Sequence, residues 1–198
     1  YTNVTRLRDP VGDSVYHGLT LRVERKMGHG FTLQASYTAS KGIDNVRERF
    51  QGRSSIINPN DMRISRSVTE WDRPQFLVTN FIYELPFGPG KRWLRSGVLP
   101  RVIGIWQVSG VATLGKGLPV VITGPNNTRL PGVSAAALRL KDPVLPDGQQ
   151  TLDRWFDTTA FAPAPSFSLG SDSRTQPRLR TPGMKTVDLS ISRTQTIR

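Results

Sequence analysis

Two long stretches near the middle of the chain, residues 76–86 and 102–114, alternate apolar and polar side chains with the period of a strand. In the first, Leu77, Thr79, Phe81, Tyr83 and Leu85 share one face, while Asn80 and Glu84 share the other. In the second, Trp106, Val108, Gly110, Ala112 and Leu114 oppose Gln107, Ser109 and Thr113. Phe87-Gly88-Pro89-Gly90-Lys91-Arg92-Trp93 joins the two, so the pair predicts a β-hairpin. Segments this long exceed the roughly five or six residues usual in soluble strands and suit a tilted crossing of a bilayer. Phe76, Val78 and Ile82 share the Asn80 face and weaken the alternation there.

The pattern recurs on both sides of this hairpin. Leu19, Leu21 and Val23 alternate with Thr20, Arg22 and Glu24, and Gly28-His29-Gly30 then supplies the positive-φ positions of a tight connection. Phe31, Leu33, Ala35, Tyr37 and Ala39 follow, against Thr32, Gln34, Ser36 and Thr38. Periodicity is lost over 41–73, where charge, Asn and Pro take over, as in Asn58-Pro59-Asn60-Asp61. Gly117-Leu118-Pro119-Val120-Val121-Ile122 either extends the preceding strand past an irregularity or begins a short new one. Beyond residue 124 the chain is rich in Pro and Gly until Val187, Leu189 and Ile191 alternate with Asp188, Ser190 and Ser192.

Five long strands are therefore predicted, over 15–27, 31–43, 74–86, 102–122 and 185–196, paired in chain order as an antiparallel up-and-down meander. Their connections run short, long, short, long. A meander through a membrane does this, with short turns on the periplasmic side and long loops outside. The predicted fold is all-β: a fragment of a transmembrane antiparallel β-barrel with two long extracellular loops. Five strands fall short of the roughly eight needed for closure, so the sheet is expected to stay open. Leu19, Leu33, Phe81 and Val108 should face lipid on its convex side, and Arg22, Gln34, Asn80 and Gln107 the lumen on its concave side. The loops are expected to carry specificity, and removal of 126–181 to leave the barrel assembled.

Composition refines this only slightly. Hydrophobic residues make up 36% of the 198, with 18 Gly and 15 Pro, which fits strands and loops rather than helices. No run of about 18 apolar residues is present, which excludes a transmembrane helix. The absence of cysteine removes disulfides and thiolate metal sites. The chain opens Tyr1-Thr2-Asn3, with neither Met nor a leader, and reads as a piece of a longer protein. A net charge of +12 is compatible with nucleic acid, anionic lipid or acidic ligands. The basic residues are dispersed, however, and interrupted by Asp44, Glu48, Asp61, Glu70 and Asp72, so solvated loops touching lipopolysaccharide phosphates are expected and a nucleic-acid partner is not.

Several motifs resemble one family. They are Ser14-Val15-Tyr16-His17-Gly18-Leu19-Thr20-Leu21-Arg22-Val23-Glu24-Arg25, Gly30-Phe31-Thr32-Leu33-Gln34-Ala35-Ser36-Tyr37-Thr38, Asn80-Phe81-Ile82-Tyr83-Glu84-Leu85-Pro86-Phe87-Gly88-Pro89-Gly90-Lys91, and Gly104-Ile105-Trp106-Gln107-Val108-Ser109-Gly110. With Trp155-Phe156-Asp157, Ala160-Phe161 and Asp188-Leu189-Ser190, their order and spacing resemble the barrel of TonB-dependent receptor-like outer-membrane proteins of the Oar type, in its C-terminal part. The resemblance implies a large barrel filled by an N-terminal plug, with energy for solute uptake delivered through a TonB-type periplasmic partner. On that reading residues 1–198 are a partial barrel domain, without the plug and the remaining strands. Residues 173–183 follow the family's Asn- and Gly-rich pattern only loosely.

Arg154 and Trp155, with Phe156 and Phe161, form the one aromatic and basic cluster inside a loop. Trp and Arg are residues that binding surfaces favour, which makes Arg154, Trp155 and Phe161 the candidate ligand contacts; a loop packing on its own side chains explains the same cluster. Gly110-Val111-Ala112-Thr113-Leu114-Gly115-Lys116-Gly117 ends in Gly where a P-loop needs a hydroxyl, and its middle alternates like a strand. His17 and His29 have no carboxylate at ligand spacing, and no nucleophile–base pair is apparent, so no metal, cofactor or enzymatic activity is expected. Two other readings remain beside uptake. One is a structural or adhesive barrel that only displays its loops; the other is a soluble carbohydrate-binding β-sandwich with two packed sheets.

Overall fold

The computed structural model describes residues 12–28, 30–46, 57–58, 60–88, 91–93, 106–129, 135–146 and 148–193. Among the described residues eight strands are formed: β1 (Ser14–Gly28), β2 (Phe31–Asp44), β3 (Ser67–Val68), β4 (Gln75–Glu84), β5 (Trp106–Gly115), β6 (Leu138–Arg139), β7 (Phe161–Ala162) and β8 (Met184–Arg193). The five long ones lie side by side in the order β1-β2-β4-β5-β8, which is chain order, with β3 paired to the far end of β2. The pairs β2–β4, β4–β5 and β5–β8 are antiparallel. The order is open, ending at β1 and β8.

The chain divides into two compact units. One comprises residues 18–39, 74–116 and 183–198 and holds most of the long-strand sheet. Its register fixes what shares a face. Opposed across β2, β4, β5 and β8 are Phe31, Tyr83, Val108 and Ile191, then Leu33, Phe81, Gly110 and Leu189, then Ala35, Thr79, Ala112 and Val187. A Cβ at Gly110 would meet Phe81 Cε1 and Leu189 Cδ2, each at 2.8 Å, so both of these side chains would have to shift to admit one. Phe31 and Tyr83 meet edge to face at 6.2 Å. The opposite face carries Gln34, Asn80, Val111 and Asp188 in one row. Thr20 and Thr38 hydroxyls lie 3.1 Å apart on that polar face, which puts Leu19, Leu21 and Val23 on the apolar one.

The apolar face is bounded by charge at both ends. Lys185 sits opposite Leu114 and Arg193 opposite Trp106, eight residues apart on β8, or about 27 Å along a strand. A tilt of about 40° reduces that to about 20 Å, close to the height of a barrel's apolar band. Within it Leu19 is 60% exposed and Leu189 68%, so among the described residues no second sheet covers this face as a soluble sandwich would require. The connection between β1 and β2 is tight, with Gly30 at φ 77°.

The other unit comprises residues 1–17, 40–73 and 117–182. Its core holds Ile57, Val68, Ala137, Leu145, Ala160, Ala164 and Leu179. β6 and β7 make a two-stranded sheet in it, and 3₁₀ turns form at Met62–Ser65 and Thr158–Ala160.

Three sequence expectations are corrected. The strand expected over 102–122 stops at Gly115, and residues 102–105 lie outside the described residues. Beyond it Gly117 packs so closely on residue 181 that a Cβ would lie 1.7 Å from Thr181 O, and only an isolated bridge joins Pro119 to Arg180. The stretch between the strand expected to end at residue 43 and residue 73, expected as a long loop, contains the short strand β3. The region after 124 contains β6 and β7 and a packed core rather than continuous loop. The end of the last predicted strand, 194–196, lies outside the described residues.

The two faces should differ in what they tolerate. Leu21→Arg or Leu33→Arg is expected to destabilise the assembled barrel by about 2–4 kcal/mol, whereas Gln34→Ala is expected to be mild. Reversible unfolding from bilayers measures both, and equal tolerance would refute the lipid-facing assignment.

Candidate functional site

The loop-bearing unit is built around two arginines. Arg180 donates to the Asp72 carboxylate at 2.6 Å, to the Asp72 carbonyl at 2.8 Å and to the Gly117 carbonyl at 3.2 Å. The other Asp72 oxygen accepts the Gly42 backbone N–H at 2.8 Å. One buried carboxylate thus holds the end of β2 and residue 180 together, 108 positions from itself in sequence. Such a planar fork bound in several directions is a task for which Lys is a poor substitute.

Arg174, 6% exposed, pairs with Asp44 and donates to Ser65 O at 3.2 Å. Its second terminal nitrogen lies 3.8 Å from Glu70 Oε1. Burial pushes the Arg174 pKa down from its ordinary value, and the adjacent carboxylates are what allow the cation to stay inside. Next to it Thr175 donates its hydroxyl to Val68 O, and Gln176 donates to Asp172 at 2.5 Å. The described parts of 40–73 and 117–182 therefore pack as one unit. Removal of 126–181, expected to leave the barrel assembled, would leave Asp72 buried without its cation.

The expected contact residues are handled individually. Trp155 is half-buried, its indole N–H donating to Arg180 O at 2.5 Å, so it is tied to the same arginine that holds Asp72. Phe156 and Phe161 meet edge to face at 6.1 Å, with Phe161 opening β7 opposite Arg139. Arg154 is exposed, and its backbone closes a small turn with Thr151. The structure thus brings Phe156 and Phe161 together and anchors Trp155 elsewhere, leaving Arg154 in solvent.

Asp157, between these aromatics, caps the 3₁₀ turn at Thr158–Ala160. The Lys141 ammonium at 2.6 Å, and then the Thr159 hydroxyl, lower its pKa from 3.8 to about 2. Asp142 is also held below the ordinary carboxylate range, first by the Val144 backbone N–H and then by Arg178 and Arg139. Nothing local announces the Lys141–Asp157 and Arg178–Asp142 pairs, whose partners lie 16 and 36 residues apart across stretches without periodicity. Among the described residues no three His, Cys, Asp or Glu side chains converge as a metal would require.

The polar face of the sheet offers a second surface. Arg22, Gln34, Ser36, Val78 and Asn80 line a shallow groove of about 250 Å³, in which Asn80 donates to Gln34 at 3.1 Å. Arg22 and Lys26 flank Glu24 along the same face of β1, each at 3.5 Å. Hydrogen-bonding side chains that point away from an apolar belt are what the inside of a barrel presents.

A family model for an outer membrane beta barrel domain matches residues 1–198. The chain belongs to that family. This barrel domain is accordingly a component of the bacterial outer membrane, and its open meander is barrel wall. The chain matches no curated protein and no solved structure.

Two measurements test the loop unit. Arg180→Ala should cost about 3–5 kcal/mol locally, because a carboxylate 2% exposed loses its cation, whereas Arg154→Ala should stay within about 0.5 kcal/mol. Hydrogen exchange around residues 69–73 in the assembled barrel reads the difference. For Asp157 the folded pKa lies below the unfolded one, so its contribution is complete above about 4 and is lost as the pH falls through about 2. Protection factors at residues 158–160, which correct for intrinsic exchange, should fall over that window and show no such fall in Asp157→Asn.

Proposed function

We propose that this outer-membrane barrel domain belongs to a TonB-dependent receptor that binds and takes up a solute, with energy delivered through a TonB-type transducing partner. The observation that supports the reading best is the polar face carrying Arg22, Glu24, Gln34, Asn80 and Asp188, a wall suited to a wet, plug-filled lumen. The resemblance of the strand motifs to receptors of the Oar type supports it independently. Arg154, Trp155 and Phe161 are, in this reading, parts of the outer loop body, and of these three Arg154 is the exposed one, free to meet a solute directly.

A second reading has its own support. The loop unit carries a buried ionic core of its own while presenting Leu152 at 91% exposure and Phe167 at 75%, which suits a barrel that displays a folded surface body for adhesion.

Photo-crosslinkable residues placed at Gln34 and Asn80 of the full-length protein in its own membrane separate the two. Uptake predicts an intramolecular adduct with a plug segment at both positions and none at lipid-facing Leu33. An assembled barrel that gives no lumen adduct would overturn the receptor reading in favour of display.

A further inference from the structure

The loop end of the apolar sheet face holds two lysines that have no counter-ion among the described residues. Lys185 stands on β8 directly opposite Leu114, in the row that also contains Leu77 and Tyr37. Lys116 lies two residues beyond Leu114 on the same face, its backbone N–H continuing the ladder to Gln75 O at 3.0 Å. That makes the two lysines diagonal neighbours, about 7–8 Å apart at the backbone. Both are exposed, and among the described residues neither ammonium reaches a carboxylate. A groove of about 360 Å³ opens between them, lined by Tyr37, Leu77, Leu114 and the side-chain-free Gly115 and Gly183. Two like charges side by side at the edge of an apolar band are unfavourable unless an anion lies between them.

We propose that this groove is a binding site for a phosphate-bearing glycolipid of the outer leaflet. The long loops leave from this end of the strands, which places it outside, at the level of the outer-leaflet headgroups. Leu77, Leu114 and the body of Tyr37 receive the upper part of an acyl chain, continuous with the lipid-facing rows below. Lys116 and Lys185 then converge on a phosphate that the chain itself does not supply, and the Tyr37 hydroxyl sits at the same boundary. The site requires only that the barrel lies in the outer membrane. It is independent of whether a solute is moved.

Full-length protein assembled in phosphatidylcholine vesicles containing phosphorylated lipid A tests it, with lipid A retained after extraction as the readout. Each of Lys116→Gln and Lys185→Gln should reduce retention about fivefold. The double Lys→Arg variant should retain it, which separates lost charge from lost assembly. Dephosphorylated lipid A should be retained poorly by the wild type. Equal retention by wild type and Lys116→Gln/Lys185→Gln would overturn the proposal, as would equal retention of the dephosphorylated lipid. Displacement by inorganic phosphate alone would show an anion site with no lipid component, and would equally overturn it.

Discussion

In hydrocarbon no water completes an unpaired N–H or C=O, so every residue of a spanning segment must find its partner in the neighbouring strand. That constraint makes the ladder, rather than side-chain burial, the first determinant of this sheet. Nine consecutive pairs between β2 and β4, nine between β4 and β5 and ten between β5 and β8 run without interruption. Once the ladder is fixed, alternation decides which residues meet which solvent. A slip of one residue would put Asn80 and Asp188 in lipid and Phe81 and Leu189 in the lumen. Register is thus held by two unlike surroundings on the two faces, without a conventional core between sheets.

The loop unit answers a different constraint. Its segments are too polar and too rich in Pro and Gly to bury much apolar area, and among the described residues its buried apolar side chains are few. Arg174 and Arg180 fill that deficit by tying residues more than 100 positions apart through buried carboxylates and carbonyls. Buried ion pairs are costly to desolvate and contribute less to net stability than to geometry. Here the geometry is specific: Asp72 accepts both the Gly42 N–H and the Arg180 guanidinium, so the end of β2 and the start of β8's approach are held to one carboxylate.

These two constraints explain what could be read from the sequence. A period of two is local, and the five long strands were legible within one or two residues wherever their ends are described, except at Gly115, where Gly117-Leu118-Pro119 left two readings open. The loop unit was opaque for the opposite reason. Nothing around Asp72 announces that its partner is Arg180, and a run such as residues 173–183 has the composition of a loop whether or not Arg174, Thr175, Gln176 and Leu179 are buried. The cluster at 154–161 was found by composition alone. Proximity in sequence could not separate Trp155, whose indole N–H is fixed to Arg180, from Arg154, which stays in solvent.

The net charge of +12 acquires a physical distribution from the same reasoning. In the loop unit Asp44, Asp72, Asp142 and Asp157 are each engaged by a cation of that unit, so much of the acidic complement is matched internally. On the polar sheet face Glu24 and Glu84 do the same for Arg22, Lys26 and Lys91. The apolar face carries no carboxylate in the rows that pair β2, β4, β5 and β8, yet Lys185 and Arg193 bound it. Acidic residues are absent there because nothing anionic gains from lying beside anionic lipid headgroups, whereas a Lys or Arg at the rim keeps its alkyl stem in the apolar band and its charge at the phosphates. Lys185 and Arg193 on β8 and Lys116 just past β5 are rim cations of this kind, so the part of the positive surplus that they carry follows from where this sheet sits.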